Sequence, residues 1–186
     1  MIRLKNLLIE QPGWVQFIAA EVGEELAAQT VVDITPAANQ AAKTKKQQAA
    51  IEAKEVQKNL PAFAQFLTSK GFSEKNVQFS EDDWETASRG LYQVKLGLGA
   101  TGISPYKIII QHPGQVNQAG TFKVMVWHKN GLKTMFNSIR SLFPNNDAKL
   151  QQDGTCTFII TRNDLINENI KKTITNLSAL VSLVTK

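Results

Sequence analysis

Two runs near the middle of the chain, 106–112 and 122–128, alternate strictly between the two faces of an extended backbone. A period of two, rich in β-branched and aromatic side chains, is typical of β-strands. The segment between the runs contains Pro, Gly and Asn and no apolar stretch, which indicates a loop. We therefore predict a β-hairpin with one core face. The predicted core face consists of Ile108, Ile110, Phe122, Val124 and Val126.

Three further strands are predicted around this hairpin. Residues 91–99 alternate in the same way and lead into it. Residues 148–152 and 155–161 flank the dipeptide of Asp153 and Gly154, which is typical of a type I′ turn. Together with the central hairpin they predict an antiparallel sheet of about five strands.

Two helices are predicted in the C-terminal half from apolar residues spaced three and four apart. The first covers 132–143 and is closed by Pro144. The second begins after Asp164, which is expected to cap it, and continues towards the C-terminus. The stripe of the first helix is Leu132, Met135, Phe136, Ile139, Leu142 and Phe143, and that of the second is Ile166, Ile170, Ile174, Leu177, Val181 and Val184. Both stripes need a sheet face to cover them, so we predict an α+β fold with the two C-terminal helices on one face of the sheet.

The N-terminal half is predicted to be helical and divides at residues 35 and 60. Residues 1–35 form an N-terminal helical segment, with a helix over 14–29. Residues 36–60, rich in Ala, Gln and Lys, are a polar exposed helix or a flexible linker. A separate helix begins at Pro61, inside the α+β domain of 61–186. The N-terminal helices either cover the opposite face of the sheet or project as an arm.

Charge is unevenly distributed along the 186 residues. The net charge is +5, but residues 1–90 hold 10 basic and 12 acidic side chains, whereas residues 91–186 hold 11 basic and 4 acidic ones. The basic half is suited to an acidic protein surface or to nucleic acid, and equally to a solvated surface.

Several features bear on the compartment. A single cysteine, Cys156, excludes an intrachain disulfide framework and suits a reducing environment. No apolar run approaches the ~20 residues of a membrane span, and charged residues interrupt the first residues where a signal peptide would lie. We expect a cytoplasmic or virion-associated protein without a membrane partner.

A basic face with one aromatic residue is the candidate binding site. Alternation places Lys107, Lys123 and Trp127 on one face of the central hairpin, flanked by Lys129, Lys133 and Arg140. Cations beside an aromatic ring suit phosphate contact combined with base stacking. The same alternation is also typical of any half-exposed strand.

No constellation for catalysis, metal or cofactor binding is found. Gly97, Gly99 and Gly102 form a G-x-G-x-x-G pattern, but a strand rather than a helix is predicted to follow, which favours a hairpin turn over a dinucleotide site. The only histidines, His112 and His128, fall at opposite ends of the hairpin, ~20 Å apart. Cys156 alternates with apolar residues and is expected in the core.

The N-terminus carries a resemblance to a known group of proteins. Residues 1–10 form a short amphipathic peptide ending in Leu8, Ile9 and Glu10. This resembles the leader of head-associated and internal proteins of large contractile-tailed phages, in which a maturation protease cuts after such a glutamate. The resemblance implies processing at Glu10 and a place in a virion.

These observations give two expected functions. The first is a non-catalytic structural or protein-interaction protein, virion-associated in a tailed phage, which binds other proteins in a larger assembly. The second is a small DNA- or RNA-binding module that uses the basic sheet face.

Overall fold

The structure, a computed structural model, describes residues 14–16, 36–74, 94–99, 102–112 and 120–186. Residues 14–16 are helical. The remaining elements in chain order are helix α1 (Pro36–Ser69), strands β1 (Val94–Leu98), β2 (Tyr106–His112) and β3 (Phe122–His128), helix α2 (Phe136–Leu142), strands β4 (Lys149–Leu150) and β5 (Cys156–Ile160), a 3-10 turn (Arg162–Asp164) and helix α3 (Asn169–Val184).

The five strands form one antiparallel sheet in the order β1-β2-β3-β5-β4. This confirms the predicted α+β fold and the number of strands. The central hairpin has the predicted bounds, because its alternation is local and strict on both strands. The chain runs from β3 through α2 and β4 to β5. Because β5 pairs with both β3 and β4, it lies between them in the sheet.

One face of the sheet carries the core. The even-numbered residues of β2, β3 and β5 point to this face, and the five side chains predicted for it are at most 1% exposed. Val94 and Leu96 of β1 extend the same surface. Burying one large aliphatic or aromatic side chain is worth ~1.5–3 kcal/mol, so this face is a main contributor to stability.

The helices pack on that core face. The ring of Phe63 in α1 lies 5.3 Å from the ring of Phe122, centre to centre, and Trp14 meets the same ring edge-on at 6.4 Å. Phe143, directly after α2, stacks on Phe158 of β5 at 4.3 Å. Helix α3 contacts both α1 and α2. For α1, the expectations of an opposite-face cover and of a projecting arm are therefore both wrong.

Helix α1 also corrects the predicted break at residue 60. It is one helix of 34 residues that continues through Pro61, so the division at residue 60 coincides with no helix end, and the linker alternative is wrong. A proline inside a helix costs ~3 kcal/mol. The apolar stripe crosses it, and the burial of Leu60, Phe63 and Leu67 at ~1.5–3 kcal/mol each outweighs that cost.

Part of this stripe lies within residues 36–60, where the polar composition predicts an exposed helix. Ala53 and Val56 are 3% and 1% exposed and belong to the core, whereas Ile51 on another side of the helix is 55% exposed. Two small side chains at the right spacing are enough to bring this part of the helix against the domain. The prediction of an exposed helix is therefore wrong for this side of α1.

Helix α2 is shorter than the sequence predicts. It begins at Phe136 rather than at 132, and the preceding residues form tight turns in which the Met135 N–H donates to the Leu132 carbonyl at 3.0 Å. Such turns place residues i and i+3 on one side, as a helix does, so Leu132 keeps its place in the core at 1% exposure.

Asp164 does not cap α3, which begins at Asn169. Its carboxylate instead closes a capping box with Thr161 around the 3-10 turn, where Oδ2 accepts from the Thr161 N–H at 2.7 Å. The predicted stripe of α3 is also shifted, because Thr173 and Leu180 are buried while Ile174 and Val181 are half-buried.

The β4–β5 turn is not type I′. That turn needs a positive φ at both central residues, and only Gly154 has one, at +81°. The Gly154 N–H donates to the Gln151 carbonyl at 3.1 Å and the Gln151 N–H to the Thr155 carbonyl at 2.7 Å. This is the three-residue hairpin in which a left-handed glycine follows a type I turn.

Candidate docking surface

The second face of the sheet, which we call the lysine face, consists of the outward residues of the strands. Cross-strand pairs place their side chains on the same face, so the registers define its rows. One row is Lys95, Gln111, Lys123 and Ile159, the next is Gly97, Ile109, Met125, Thr157 and Lys149, and the last is Lys107 and Trp127. The strands contribute four lysines and no acidic residue to this face.

The lysine face has an apolar centre with cations beside it. Ile109 and Met125 are directly paired and half-buried, and Ile159 is 51% exposed. Lys107 and Lys123 lie one row away on either side. The arrangement provides both an apolar contact area and positive charge within one sheet surface.

Lys107 and Trp127 form a defined pair at one end of the face. They are opposite each other in the register of β2 and β3, and the Lys107 ammonium lies 5.5 Å from the centre of the Trp127 ring. A cation over an indole ring is attracted by its π-electrons, by ~0.5–1 kcal/mol at an exposed site. The contact holds the lysine stem against the sheet.

A depression of about 480 Å³ lies at the centre of the lysine face. The β4–β5 hairpin forms one side of it with Gln151, Asp153 and Thr155. Asp153 is the one acid among the described residues of the lining, and its Oδ1 accepts from the Thr155 N–H at 2.9 Å. The depression therefore carries two lysines and one carboxylate, a modest positive charge rather than a polyanion channel.

The structure brings together three of the six residues predicted for the basic site. Lys107, Lys123 and Trp127 all line the depression. Lys129 and Lys133 lie in the connection from β3 to α2, beyond the end of the strand that carries Trp127. Arg140 belongs to α2 in the helical layer and so does not share this sheet face, which corrects its predicted place beside the lysines.

The sequence pattern did not predict the contribution of the second hairpin. Thr157 and Ile159 join the lysine face only because β5 pairs with β3, a non-local contact that alternation within 155–161 does not reveal. The alternation did mark them as outward residues. Sheet order was the missing information.

The glycine pattern begins in β1 and leads to β2, its antiparallel neighbour, as expected for a hairpin. Gly97 pairs with Ile109 in the sheet and exchanges two backbone hydrogen bonds with Ser73. Gly99 has φ +64°, and a Cβ there would lie 2.6 Å from the Tyr106 ring. After Gly102 the chain enters β2, not a helix.

Burial shifts the pKa values of two titratable side chains in the core, His112 and Cys156. His112 is fully buried with its ring 5.6 Å from that of Phe122, and burial lowers its pKa to about 4. Cys156 is fully buried, which confirms its place in the core, and burial raises the pKa of its thiol to about 11. His128 pairs with Tyr106, so the two histidines occupy opposite ends of the hairpin.

No family model, no curated protein and no solved structure matches this chain. Within the described ranges, no group of three or more His, Cys, Asp or Glu side chains is placed to hold a metal ion. Nor does any helix among those residues combine the length and apolarity needed to cross a lipid bilayer. Glu10 and the Leu8-Ile9-Glu10 motif lie outside the described residues, as does most of the predicted helix over 14–29.

Proposed function

We propose that this is a non-catalytic protein-interaction protein, and that its lysine face docks an acidic, amphipathic segment of a partner protein. The observation that carries the proposal is the apolar centre of Ile109 and Met125 with Lys107 and Lys123 on either side. Met and Trp are enriched in the cores of protein interfaces, and lysines at a rim select partners of opposite charge.

The size of the lysine face indicates what kind of segment fits. Strands of up to seven residues at ~3.3 Å each, five strands at ~4.8 Å spacing, give a surface of roughly 20 by 20 Å. That is about half of the ~800 Å² per partner in a standard interface between folded domains. A single helix or extended segment matches this area.

The resemblance of residues 1–10 to the leaders of phage head proteins supports a virion as the setting of this interaction. The partner would then be another protein of the particle, and Glu10 the processing site. This part of the proposal predicts an N-terminus at Gln11 for the protein recovered from mature particles.

A second candidate is binding of single-stranded nucleic acid through the same face. It is favoured by the pairing of Lys107 with Trp127, which places a cation beside a stacking platform. Trp127 is the one aromatic side chain among the described residues of the face, and Asp153 reduces the positive charge. Protein docking accounts better for the exposed Ile159 and for Met125.

Peptide display tests the proposal directly. Helical and extended peptide libraries are selected against the full chain, and the enriched peptides are measured by fluorescence anisotropy. The face variant carries Lys107→Glu and Lys123→Glu. The matched control carries Lys54→Glu and Lys58→Glu, which changes the charge equally on exposed positions of α1. We expect acidic amphipathic peptides that bind the control as they bind the wild type and lose at least ~10-fold affinity for the face variant, since two charge contacts are reversed.

An oligonucleotide titration distinguishes binding of single-stranded nucleic acid from docking of a protein segment. About three phosphate contacts on a single strand give a log–log salt slope of about −2, or roughly tenfold weaker binding between low and moderate salt. Salt-dependent oligonucleotide binding that the face variant loses, with no acidic peptide enriched, would replace the first proposal by the second. Equal effects of the face and control variants would overturn both.

A further inference from the structure

A polar pocket of about 360 Å³ lies away from the lysine face, where the end of α2, the 3-10 turn and the start of α3 meet. Of the thirteen lining residues that the structure describes, nine are polar or charged. We call it the asparagine pocket because five of them are asparagines. Phe143 and Ile160, both buried, contribute to its apolar part. A volume of this size is within the range of small-molecule sites and far exceeds a single ion.

Three lining asparagines use their amide nitrogens to hold the walls together. Each nitrogen donates to a backbone carbonyl: Asn146 to Ile159 at 2.7 Å, Asn169 to Asn163 at 2.8 Å, and Asn176 to Leu142 at 2.7 Å. A carbonyl only accepts, so these bonds set the orientation of each amide. Each side chain therefore keeps its oxygen, an acceptor, for other contacts.

The Asp164 carboxylate also joins the walls of the pocket and keeps one oxygen available. Its Oδ2 accepts three hydrogen bonds, from Asn146 Nδ2 and from the N–H and hydroxyl of Thr161, at 2.7–2.8 Å. Its Oδ1 takes no hydrogen bond from the described residues. The Thr173 hydroxyl donates to the Asp164 carbonyl at 2.8 Å, so this lining donor is also engaged.

The charge of the pocket is balanced. Asp164 and Lys172 are the two charged residues of its described lining, one of each sign. The pocket thus offers several amide and carboxylate oxygens as acceptors, and as donors the ammonium of Lys172 and the amide N–H groups of Asn145 and Asn163. A neutral molecule with many hydroxyl groups complements this set, because hydroxyls donate to the oxygens and accept from the lysine.

We propose that the asparagine pocket binds a sugar, of monosaccharide or disaccharide size. The walls are already joined across three elements by the hydrogen bonds of Asn146, Asn169, Asn176 and Asp164. Binding therefore requires little ordering of the protein, which favours affinity for a small ligand. The site is independent of the lysine face and of the proposed protein partner.

Chemical-shift mapping on the ¹⁵N-labelled full chain tests this. The probes are glucose, galactose, mannose, N-acetylglucosamine and their disaccharides, titrated into the millimolar range. We expect at least one probe to give saturable shifts at the backbone amides of the pocket. No saturable shift with any probe, or shifts elsewhere, would overturn the proposal, as would pocket shifts produced by Ca²⁺ and not by any sugar.

Two adjacent lysines provide a matched pair of variants. Lys172 lines the pocket, whereas Lys171 does not and instead pairs with Glu168 at 2.7 Å. Both are exposed, so neither substitution removes core packing. Lys172→Met should weaken sugar binding about tenfold, the loss expected for one hydrogen bond to a charged group, while Lys171→Met should bind as the wild type does. Equal affinities of the two variants would contradict a ligand seated against Lys172.

Discussion

Lys107 and Trp127 face each other across β2 and β3, with the Lys107 ammonium 5.5 Å from the centre of the indole ring. The pair joins the cationic and aromatic parts of the lysine face. A double-mutant cycle with Lys107→Met and Trp127→Leu should give a coupling of ~0.5–1 kcal/mol in urea unfolding.

The control for this cycle is Lys123, which lies four residues from Trp127 on the same strand, ~13 Å away. Lys123→Met combined with Trp127→Leu should show no coupling beyond ~0.3 kcal/mol. A coupling of the same size for both lysines would mean that the effect is not specific to the Lys107–Trp127 contact.

Substitution of Leu60 tests whether this part of α1, within residues 36–60, packs on the folded domain. It is 1% exposed, and Leu60→Ala should lower the free energy of unfolding by ~2–5 kcal/mol through lost burial and a cavity. Ile51→Ala, on the exposed side of the same helix, should change it by no more than ~0.5 kcal/mol. Both are measured by urea unfolding monitored by circular dichroism. A small effect for Leu60→Ala would show that this part of α1 is not packed on the sheet.

Two features favour glycine at position 120: its backbone conformation and its close approach to helix α1. Its φ is +75°, and a Cβ there would lie 2.9 Å from Val56 of α1. Gly131 has the same φ with open space around it. Gly131→Ala should therefore cost only the left-handed backbone penalty, ~1 kcal/mol, and Gly120→Ala at least ~1 kcal/mol more.

A second substitution isolates the contact with Val56. Val56→Ala alone is destabilising, because Val56 is buried. Introduced into Gly120→Ala, it should cost less than it does in the wild type, because it removes the clash. Additive costs in thermal or urea unfolding would show that Gly120 does not approach α1.

His112 gives the protein a pH-dependent stability. Burial lowers its pKa from the ordinary value of 6.5 to about 4 in the folded state. The unfolded chain therefore binds the proton first, so the contribution of His112 is complete above pH 6.5 and is lost as the pH falls towards 4. Between pH 7 and pH 5 the loss is about 2 kcal/mol.

The pH effect is measured by urea unfolding at both pH values. His112→Leu removes the titrating group, so the variant should lose less stability than the wild type between pH 7 and pH 5. Equal losses would show that His112 is not buried as a neutral imidazole. NMR titration of its ring protons provides an independent check, with no protonation expected above about pH 5.

Local patterns predicted most of the sheet, and non-local contacts explain what they missed. The alternation in Tyr106–His112 and Phe122–His128 is contained in each strand, so the bounds of both were predicted. The insertion of β5 between β3 and β4 depends on a pairing that no local pattern encodes. For this reason Lys107 and Lys123 were predicted for the face, whereas Lys149, Thr157 and Ile159 were not.

Local sequence signals also predicted the wrong structural role for two single residues, Asp164 and Pro61. Asp164 has the type and position of a helix cap, but Asn146, 18 residues earlier, and Thr161 hold its carboxylate in another role. Pro61 is a helix-start signal by local rules, yet a buried stripe on both sides of it continues the helix. For Pro61, packing with a distant part of the chain overrides the local preference, and for Asp164 a neighbouring threonine and a distant asparagine do so together.

The proposed function requires that a partner protein bind at the lysine face. The most direct measurement is chemical-shift mapping of the ¹⁵N-labelled chain with an acidic amphipathic peptide enriched by display. We predict shifts concentrated at the amides of β2, β3 and β5, and their loss in the variant with Lys107→Glu and Lys123→Glu. Shifts concentrated on α1 or α3, or shifts that the face variant retains, would contradict binding at the lysine face.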